Sequence, residues 1–235
     1  MSHTSPSRLF VPMLLLVLSS SLFAQEQDAW TLLRAVQKSY DRIQDYSATI
    51  KAEMNIPGMR APSMEATLYF KKPDKMHVES KGFAMLPRSA VMFQPSMFTP
   101  EAFDAVVQGR QTIDGVQCSK VKVLARSDTI PLQRAMLFID PVKRRVLRME
   151  SNPAEAAEAV VHFTYTTVDG IDLPATVRLE MDAPMNMRRP GMKPKVQKEN
   201  GAATEKSTVV LRYSNYRVNK GIPDSMFREK AQTRK

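Results

Sequence analysis

The sequence predicts a mostly β fold of the α+β class, in which an antiparallel sheet is covered on one face by an N-terminal helix. First, apolar and polar residues alternate along three successive segments between Asp45 and Lys81. Second, the spacing of the apolar residues is helical just before these segments. Third, turn signals recur between apolar runs in the rest of the chain. Alternation with a period of two is typical of a sheet with one buried and one solvated face.

The three alternating segments supply the start of the predicted core. Every second residue is apolar from Tyr46 to Ile56 and again from Met64 to Phe70, and Met76 and Val78 continue the pattern between charged neighbours. The face that they form needs a cover, because about 0.8 kcal/mol is gained for each methylene removed from water. Whether side chains alone or side chains and a ligand cover it is the question on which the function depends.

Residues 1–24 are predicted to be a secretory signal peptide. Arg8 supplies a positive charge, an apolar run follows from Leu9 to Leu18, and small residues precede a cleavage site near Ala24. The apolar run is shorter than the about 20 residues of a transmembrane helix. Residues 25–235 are expected to form a single exported domain, because a chain of about 210 residues can bury one core. The alternative is an uncleaved membrane anchor.

Two helices are predicted, one before the sheet and one between its strands. Asp28 is available as the N-cap of an amphipathic helix that runs to Ile43. An irregular apolar segment, 82–100, is expected to lead into a short helix that begins at Thr99 and ends at Gly109. This part of the chain would form a lid over one end of the sheet, and the alternative is an ordinary core loop. The predicted lid residues are Phe93, Met97, Phe98 and Phe103.

About nine strands are predicted, nearly all antiparallel. Asp169 and Gly170 give a hairpin turn signal. The phase of the apolar residues changes near Ser214, which predicts a β-bulge in the last strand. The strands after the lid are expected at Gln111 to Ala125, Ala135 to Ile139, Arg145 to Met149, Val161 to Tyr165, Ala175 to Met181 and Val209 to Val218.

A mobile basic loop is predicted at residues 183–207, because this segment is too long and too rich in helix and strand breakers for a hairpin turn. It contains three prolines, three methionines and six Lys or Arg residues. A solvated loop of this kind needs no function. The alternative is that it contacts an anionic membrane surface or a membrane partner. The contact residues would be Arg188, Arg189, Lys193 and Lys195, and residues 228–235 would form a basic tail.

The composition favours a binding protein over an enzyme. The chain has 34 Lys and Arg against 24 Asp and Glu, but it lacks the motifs of nucleic-acid-binding proteins, so nucleic acid is not an expected partner. After the signal peptide it has only His77 and His162, and these do not have the spacing of metal ligands. We find neither a nucleophile elbow nor a phosphate-binding glycine loop. We therefore expect no catalytic residue, metal or cofactor. The single cysteine, Cys118, is expected to be buried.

Five segments, in their order along the chain, resemble one known family. They are DYSATIKAEMNI, LYFKKPDKMHVES, MLFIDPVKRRVLRME, TTVDGIDLPATVRLEM and VVLRYSNYRVNKGIPDSMF. Together with the signal peptide and the amphipathic helix, they resemble the LolA-type carriers that sort outer-membrane lipoproteins. The resemblance covers most of the chain after the signal peptide. It implies a curved, unclosed antiparallel half-barrel, with the N-terminal helix and a short lid helix on its concave face enclosing an apolar cavity.

The same resemblance implies a periplasmic carrier that binds the acyl chains of lipoproteins or lipids and ferries them toward the outer membrane. Its partners would be the acylated cargo, an inner-membrane releasing complex and an outer-membrane acceptor. A regulatory or scaffold module of the same fold, which binds a membrane-anchored partner protein, stays open as the alternative. The expected cavity wall consists of Ile50, Met54, Leu68, Phe70, Met76, Phe138, Phe163, Val177, Leu179 and Leu211.

Overall fold

A computed structural model describes residues 28–57, 59–60, 62–80, 95–153, 158–181 and 206–227. Several predictions lie outside these residues and are not tested by the structure. They concern the signal peptide, Phe93, the basic tail and the four basic contact residues Arg188, Arg189, Lys193 and Lys195.

The helix α1 (Ala29–Ser39) precedes the sheet. As predicted, Asp28 caps it: the carboxylate accepts a hydrogen bond from the backbone N–H of Thr31 at 3.0 Å. The chain then continues through turns to Ile43, so the helix is shorter than predicted. The apolar stripe of α1 is buried against the sheet. Its buried residues are Ala29, Leu32, Leu33 and Val36.

Eleven antiparallel strands form one sheet within the described residues. Ten of them lie side by side in the order β4-β3-β1-β11-β10-β9-β8-β7-β6-β5, and β2 pairs with β1. Because β4 and β5 end this order without pairing to each other, the sheet is not closed, and the predicted half-barrel fold class is confirmed. The strands are β1 (Asp45–Ile56), β2 (Met59–Arg60), β3 (Met64–Lys71), β4 (Lys75–Ser80), β5 (Phe103–Ile113), β6 (Val116–Ala125), β7 (Leu132–Asp140), β8 (Arg145–Pro153), β9 (Ala159–Val168), β10 (Ile171–Met181) and β11 (Ser207–Val218).

Strand β1 pairs with β11, the last strand in the sequence. Ser47 lies opposite Arg217 and Thr49 opposite Ser214, so two residues of β11 face one residue of β1. Asn215, one of these two, has a φ of 54°. The bulge predicted near Ser214 is therefore confirmed.

The short helix predicted from Thr99 to Gly109 is wrong. Residues from Phe103 onward form strand β5, and the helical structure near it is a 3₁₀ turn at Pro95–Met97. Gly109 has a φ of 95° and lies where the register between β5 and β6 shifts, so it is part of a bulge and does not end a helix. The valine pair Val106–Val107 favours a strand, and this preference outweighs the capping signal at Thr99.

The strand predicted from Gln111 to Ala125 is a hairpin. Asp114 and Gly115 both have positive φ, and they connect β5 to β6. Two residues with positive φ are the requirement of a type I′ turn, for which Asp-Gly is a favoured pair. The predicted Asp169–Gly170 turn between β9 and β10 has the same geometry and is confirmed.

Apolar side chains are buried in two clusters that lie on opposite faces of the sheet. The larger cluster lies on the face covered by α1, which we call the inner face, and contains Leu137 and Ile139 of β7. The smaller cluster contains Phe138, between them in the same strand, together with Cys118. Cys118 is buried, as predicted.

Candidate ligand-binding cavity

A cavity of about 450 Å³ lies at one end of the inner face, beside the C-terminal end of α1. Ten of the fifteen described residues that line it are apolar or aromatic, as is usual for sites that bind small organic molecules. The lining residues are Gln37, Tyr40, Asp41, Ile43, Tyr46, Phe70, Lys72, Pro73, Pro95, Ser96, Thr99, Leu173, Pro174, Val177 and Tyr213.

Aromatic rings form one wall of the cavity because of the strand register. Tyr46 lies directly opposite Phe70 across β1 and β3, and their ring centroids are 5.3 Å apart. Tyr213 and Tyr216 are three residues apart in β11, a spacing that would normally place them on opposite faces. The bulge at Asn215 brings both to the inner face, where their rings stack at 6.4 Å.

The tyrosines at this wall stay uncharged over the physiological pH range. Burial raises the pKa of Tyr40 to about 12 and also raises the pKa of Tyr46 and Tyr213, the other two tyrosines that line the cavity. The wall therefore offers aromatic surface and neutral hydroxyl groups, which suits a ligand that is mainly apolar.

A group of polar contacts lies close to Tyr40, just after the end of α1. The hydroxyl of Tyr165 donates to the backbone carbonyl of Val146 at 2.6 Å and lies close to the side chain of Tyr40. The guanidinium of Arg145 lies 4.9 Å from the centroid of the Tyr165 ring, and its Nη1 atom lies 3.1 Å from a carboxylate oxygen of Asp172. These contacts fix the position of Tyr165, which packs with Tyr40 against the larger cluster.

Residues 95–102, which we call the cover segment, close one side of the cavity. The side-chain amide of Gln37 in α1 donates to the backbone carbonyls of Pro95 at 3.1 Å and Phe98 at 2.9 Å. The Phe98 ring is fully buried and packs edge-on against Phe103, with their centroids 5.4 Å apart. The contacts of Gln37 and of Phe98 thus attach the cover segment on its inner side, and the carbonyl of Ala102 at its end accepts a hydrogen bond from the backbone N–H of Arg126 at 2.9 Å.

Charged residues at the cavity lie on its solvent side. The side chain of Asp41 is 71% exposed and that of Lys72 is 33% exposed. The Nζ atom of Lys72 donates to the backbone carbonyl of Asp41 at 2.9 Å and lies 3.9 Å from its carboxylate. A lysine at the rim can bind an anionic group without placing a charge inside the cavity.

The structure brings nine of the ten predicted wall residues to the inner face, but only two of them line this cavity. These two are Phe70 and Val177. Ile50, Leu68 and Leu211 are 0 to 1% exposed and are packed in the same cluster as the buried face of α1. The other four, Met54, Met76, Phe163 and Leu179, are buried or partly buried in this cluster.

The inward position predicted for Phe138 is wrong. Phe138 belongs to the smaller cluster on the other face, where the guanidinium of Arg148 lies 5.4 Å from its ring centroid. The run from Met136 to Ile139 is continuously apolar, so alternation could not show which residues point inward.

Two of the predicted lid residues, Phe98 and Phe103, are buried on the inner face, whereas Met97 is 44% exposed. Four residues that line the cavity were not among the predicted wall residues: Tyr40, Tyr46, Leu173 and Tyr213. Tyr46 and Tyr213 occupy apolar positions in alternating strands, and this pattern could have identified them.

Among the described residues, no group of three or more His, Cys, Asp or Glu side chains is placed so that it could hold a metal ion. A search of the same residues finds no helix with both the length and the apolar character needed to cross a membrane.

Three solved structures share this architecture over almost their whole length. A DUF1329 family protein from Desulfovibrio piger is 13% identical and superimposes with a TM-score of 0.60, over 86% of this chain and 98% of its own. A LolA superfamily protein from Nitrosomonas europaea is 9% identical, with a TM-score of 0.55 and the same coverage of 86% and 98%. This chain has the LolA fold.

The third structure with the LolA fold is a domain from Vibrio parahaemolyticus assigned to outer-membrane lipoprotein sorting. It is 14% identical, with a TM-score of 0.57, over 85% of this chain and 97% of its own. No family model and no curated protein matches the sequence. The resemblance seen in the order of the sequence motifs is thus confirmed as a shared fold. At such low identity the ligand must be argued from the cavity itself.

Proposed function

We propose that the protein is a periplasmic carrier that binds the acyl chain of a lipid or lipoprotein in this cavity and transports it toward the outer membrane. The observation that supports this proposal is the mostly apolar cavity between α1, the cover segment and the inner face, whose charged residues Asp41 and Lys72 lie on its solvent side. An inner-membrane donor and an outer-membrane acceptor would complete the pathway, and the basic residues of the 183–207 segment are candidates for contact with a membrane or partner.

The free energy of transferring an acyl chain out of water explains why such a cargo needs a carrier. Each methylene hidden from water is worth about 0.8 kcal/mol, so a chain of about 16 carbons gains roughly 12 kcal/mol on complete burial. Part of this gain offsets the loss of freedom on binding. What is left is enough to hold the chain in the protein while it crosses an aqueous compartment.

Release of the cargo requires that one side of the cavity can open. The cover segment is suited to this role, because it closes one side of the cavity and its inner attachments include the two hydrogen bonds from Gln37 and the packing of Phe98. The other walls come from the end of α1, the turn after β3 and the sheet, whose strands are hydrogen-bonded to their neighbours. Opening therefore does not require the sheet to separate.

The first test is to purify the exported protein and identify bound lipids by native mass spectrometry. Phe70→Glu is the variant for this test, because Phe70 lines the cavity and a carboxylate there would place a charge where the acyl chain is proposed to bind. We expect binding to fall at least a hundredfold. The matched control is Tyr69→Glu in the same strand, since Tyr69 lies on the opposite face and should not affect binding. A folded Phe70→Glu variant that still binds acyl ligands would refute the carrier assignment.

The partner-binding module is the second candidate function. The observation that favours it is the close packing of Ile50, Leu68 and Leu211, which leaves no space for a ligand at these positions. If the exported protein carries no lipid and binds none of the acylated compounds offered to it, the module becomes the better proposal.

A further inference from the structure

We infer that the cavity takes one acyl chain, so that its ligand is a single-chain lipid such as a fatty acid or a lysophospholipid. This inference rests on the proposed function and narrows its ligand class. It separates the protein from a carrier that encloses two or three chains of a lipoprotein at once.

The volume of the cavity sets the number of chains. An apolar cavity of about 150 Å³ in a protein core holds benzene, which corresponds to about 25 Å³ for each carbon atom. At that density a cavity of about 450 Å³ holds about 18 carbon atoms. This is the size of one common acyl chain, and two such chains need about twice the space.

The surrounding core prevents the cavity from widening at low cost. Beyond the cavity, Ile50, Leu68 and Leu211 are packed in one cluster with Leu33 and Val36 of α1, all at 2% exposure or less. A second chain on the inner face would have to displace α1 and expose its buried side chains. Exposure of each aliphatic side chain lowers the binding constant about tenfold or more.

The rim of the cavity can bind the head of a single-chain lipid. The Lys72 ammonium carries three N–H groups, and its neighbour Asp41 is mostly exposed to solvent. Lys72 can therefore donate to a carboxylate or phosphate while the chain lies against Tyr46 and Phe70. The fatty acid and the lysophospholipid share this chemistry, and the experiment tests them separately.

The experiment is a competition assay on the delipidated exported protein with a fluorescent fatty acid as the probe. The competitors are palmitate and lysophosphatidylglycerol with one chain, dipalmitoylphosphatidylglycerol with two, and a tripalmitoylated lipopeptide with three. Native mass spectrometry gives the stoichiometry. We expect both one-chain ligands to bind one to one, at least tenfold more tightly than the others.

The outcomes separate the two proposals. If the lipopeptide or the two-chain lipid binds as tightly as palmitate, the one-chain inference is overturned and the carrier function stands. If no ligand binds, the proposed function fails and the inference fails with it.

A change in cavity volume gives an independent test. Val177→Phe adds four carbons at the cavity wall, which removes about 100 Å³ and should shorten the preferred chain by about four carbons. The matched control is Val210→Phe, since Val210 lies on the opposite face of the neighbouring strand and should leave chain length unchanged. If Val177→Phe and Val210→Phe prefer the same acyl chain length, the inference is overturned.

Leu173→Ala serves as the second variant, in case Val177→Phe does not fold. It removes three carbons from a wall residue and should lengthen the preferred chain by about three carbons. An unchanged preference in this variant would also contradict the inference.

Discussion

Replacement of Gln37 by methionine should release the cover segment without unfolding the protein. Methionine has nearly the length of glutamine and fills the same space, but it cannot donate a hydrogen bond. The change removes both bonds from the Gln37 amide to the carbonyls of Pro95 and Phe98. The sheet and the buried face of α1 keep all their contacts.

The expected increase in opening of the cover segment follows from the loss of these two hydrogen bonds. Each contributes about 1 kcal/mol net, and each partly buried carbonyl that loses its donor adds a further cost where water cannot reach it. A loss of about 2 kcal/mol raises the open population of the cover segment about thirtyfold. If this opening controls exit of the ligand, the dissociation rate should rise by the same factor.

Hydrogen exchange measured by mass spectrometry detects the opening directly. The amides of Phe98, Ala102 and Phe103 donate to carbonyls within the cover segment, so all three should lose protection. The control is Gln133→Met, because the Gln133 amide likewise donates to two backbone carbonyls, those of Ser127 and Ile130, but is not among the residues that line the cavity. Unchanged exchange at residues 98–103 in Gln37→Met, or an equal increase in Gln133→Met, would refute the role of Gln37.

Three further predictions follow from charge and burial. Lys72→Met should lower the affinity for palmitate about fivefold, which is the effect of one near-surface cation, and should leave the affinity for uncharged monoacylglycerol unchanged. Equal losses of affinity for the two ligands in a binding titration would contradict a headgroup contact. The pKa of Tyr40 is raised from 10 to about 12 in the folded protein, so the folding stability that neutral Tyr40 contributes is present below pH 10 and should be lost as the pH rises toward 12. Tyrosinate absorbance and circular dichroism should then change together. Ionisation of Tyr40 near pH 10 in folded protein would contradict this. Burial raises the pKa of Cys118 to about 11, so at pH 8 about one thiol in a thousand is ionised. A disulfide reagent should therefore label Cys118 only after denaturant is added. Rapid labelling of the native protein would show that the thiol is accessible.

Local sequence patterns were sufficient to predict most of the sheet. Alternation identified the inward faces of β1 and β3, because each has polar residues at every second position. The change of phase near Ser214 located the bulge that turns Tyr216 inward. Where the sequence lacks alternation, as from Met136 to Ile139, the pattern could not assign a face, and Phe138 was misplaced for that reason.

The position of the cavity could not be predicted from such patterns. Its walls come from the end of α1, strands β1, β3, β10 and β11, the turn after β3 and the cover segment, and several of these are far apart in the sequence. Most of the predicted wall residues are the inward residues of long strands, and α1 covers them with its own side chains. A pattern shows which residues leave water, but it does not show whether a ligand or another side chain replaces the water.

The position at which α1 ends determines where the cavity lies on the inner face. The helix stops at Ser39, and the buried stripe that fills the inner face ends with Val36. Beyond that point the chain presents Tyr40, which packs against the larger cluster, and Tyr40 and the cover segment both line the cavity. The cavity thus occupies the place that one more helical turn of aliphatic side chains would have filled. Gln37 lies in the last turn of this helix and also attaches the cover segment, so the Gln37→Met experiment tests whether the residue next to the cavity controls access to it.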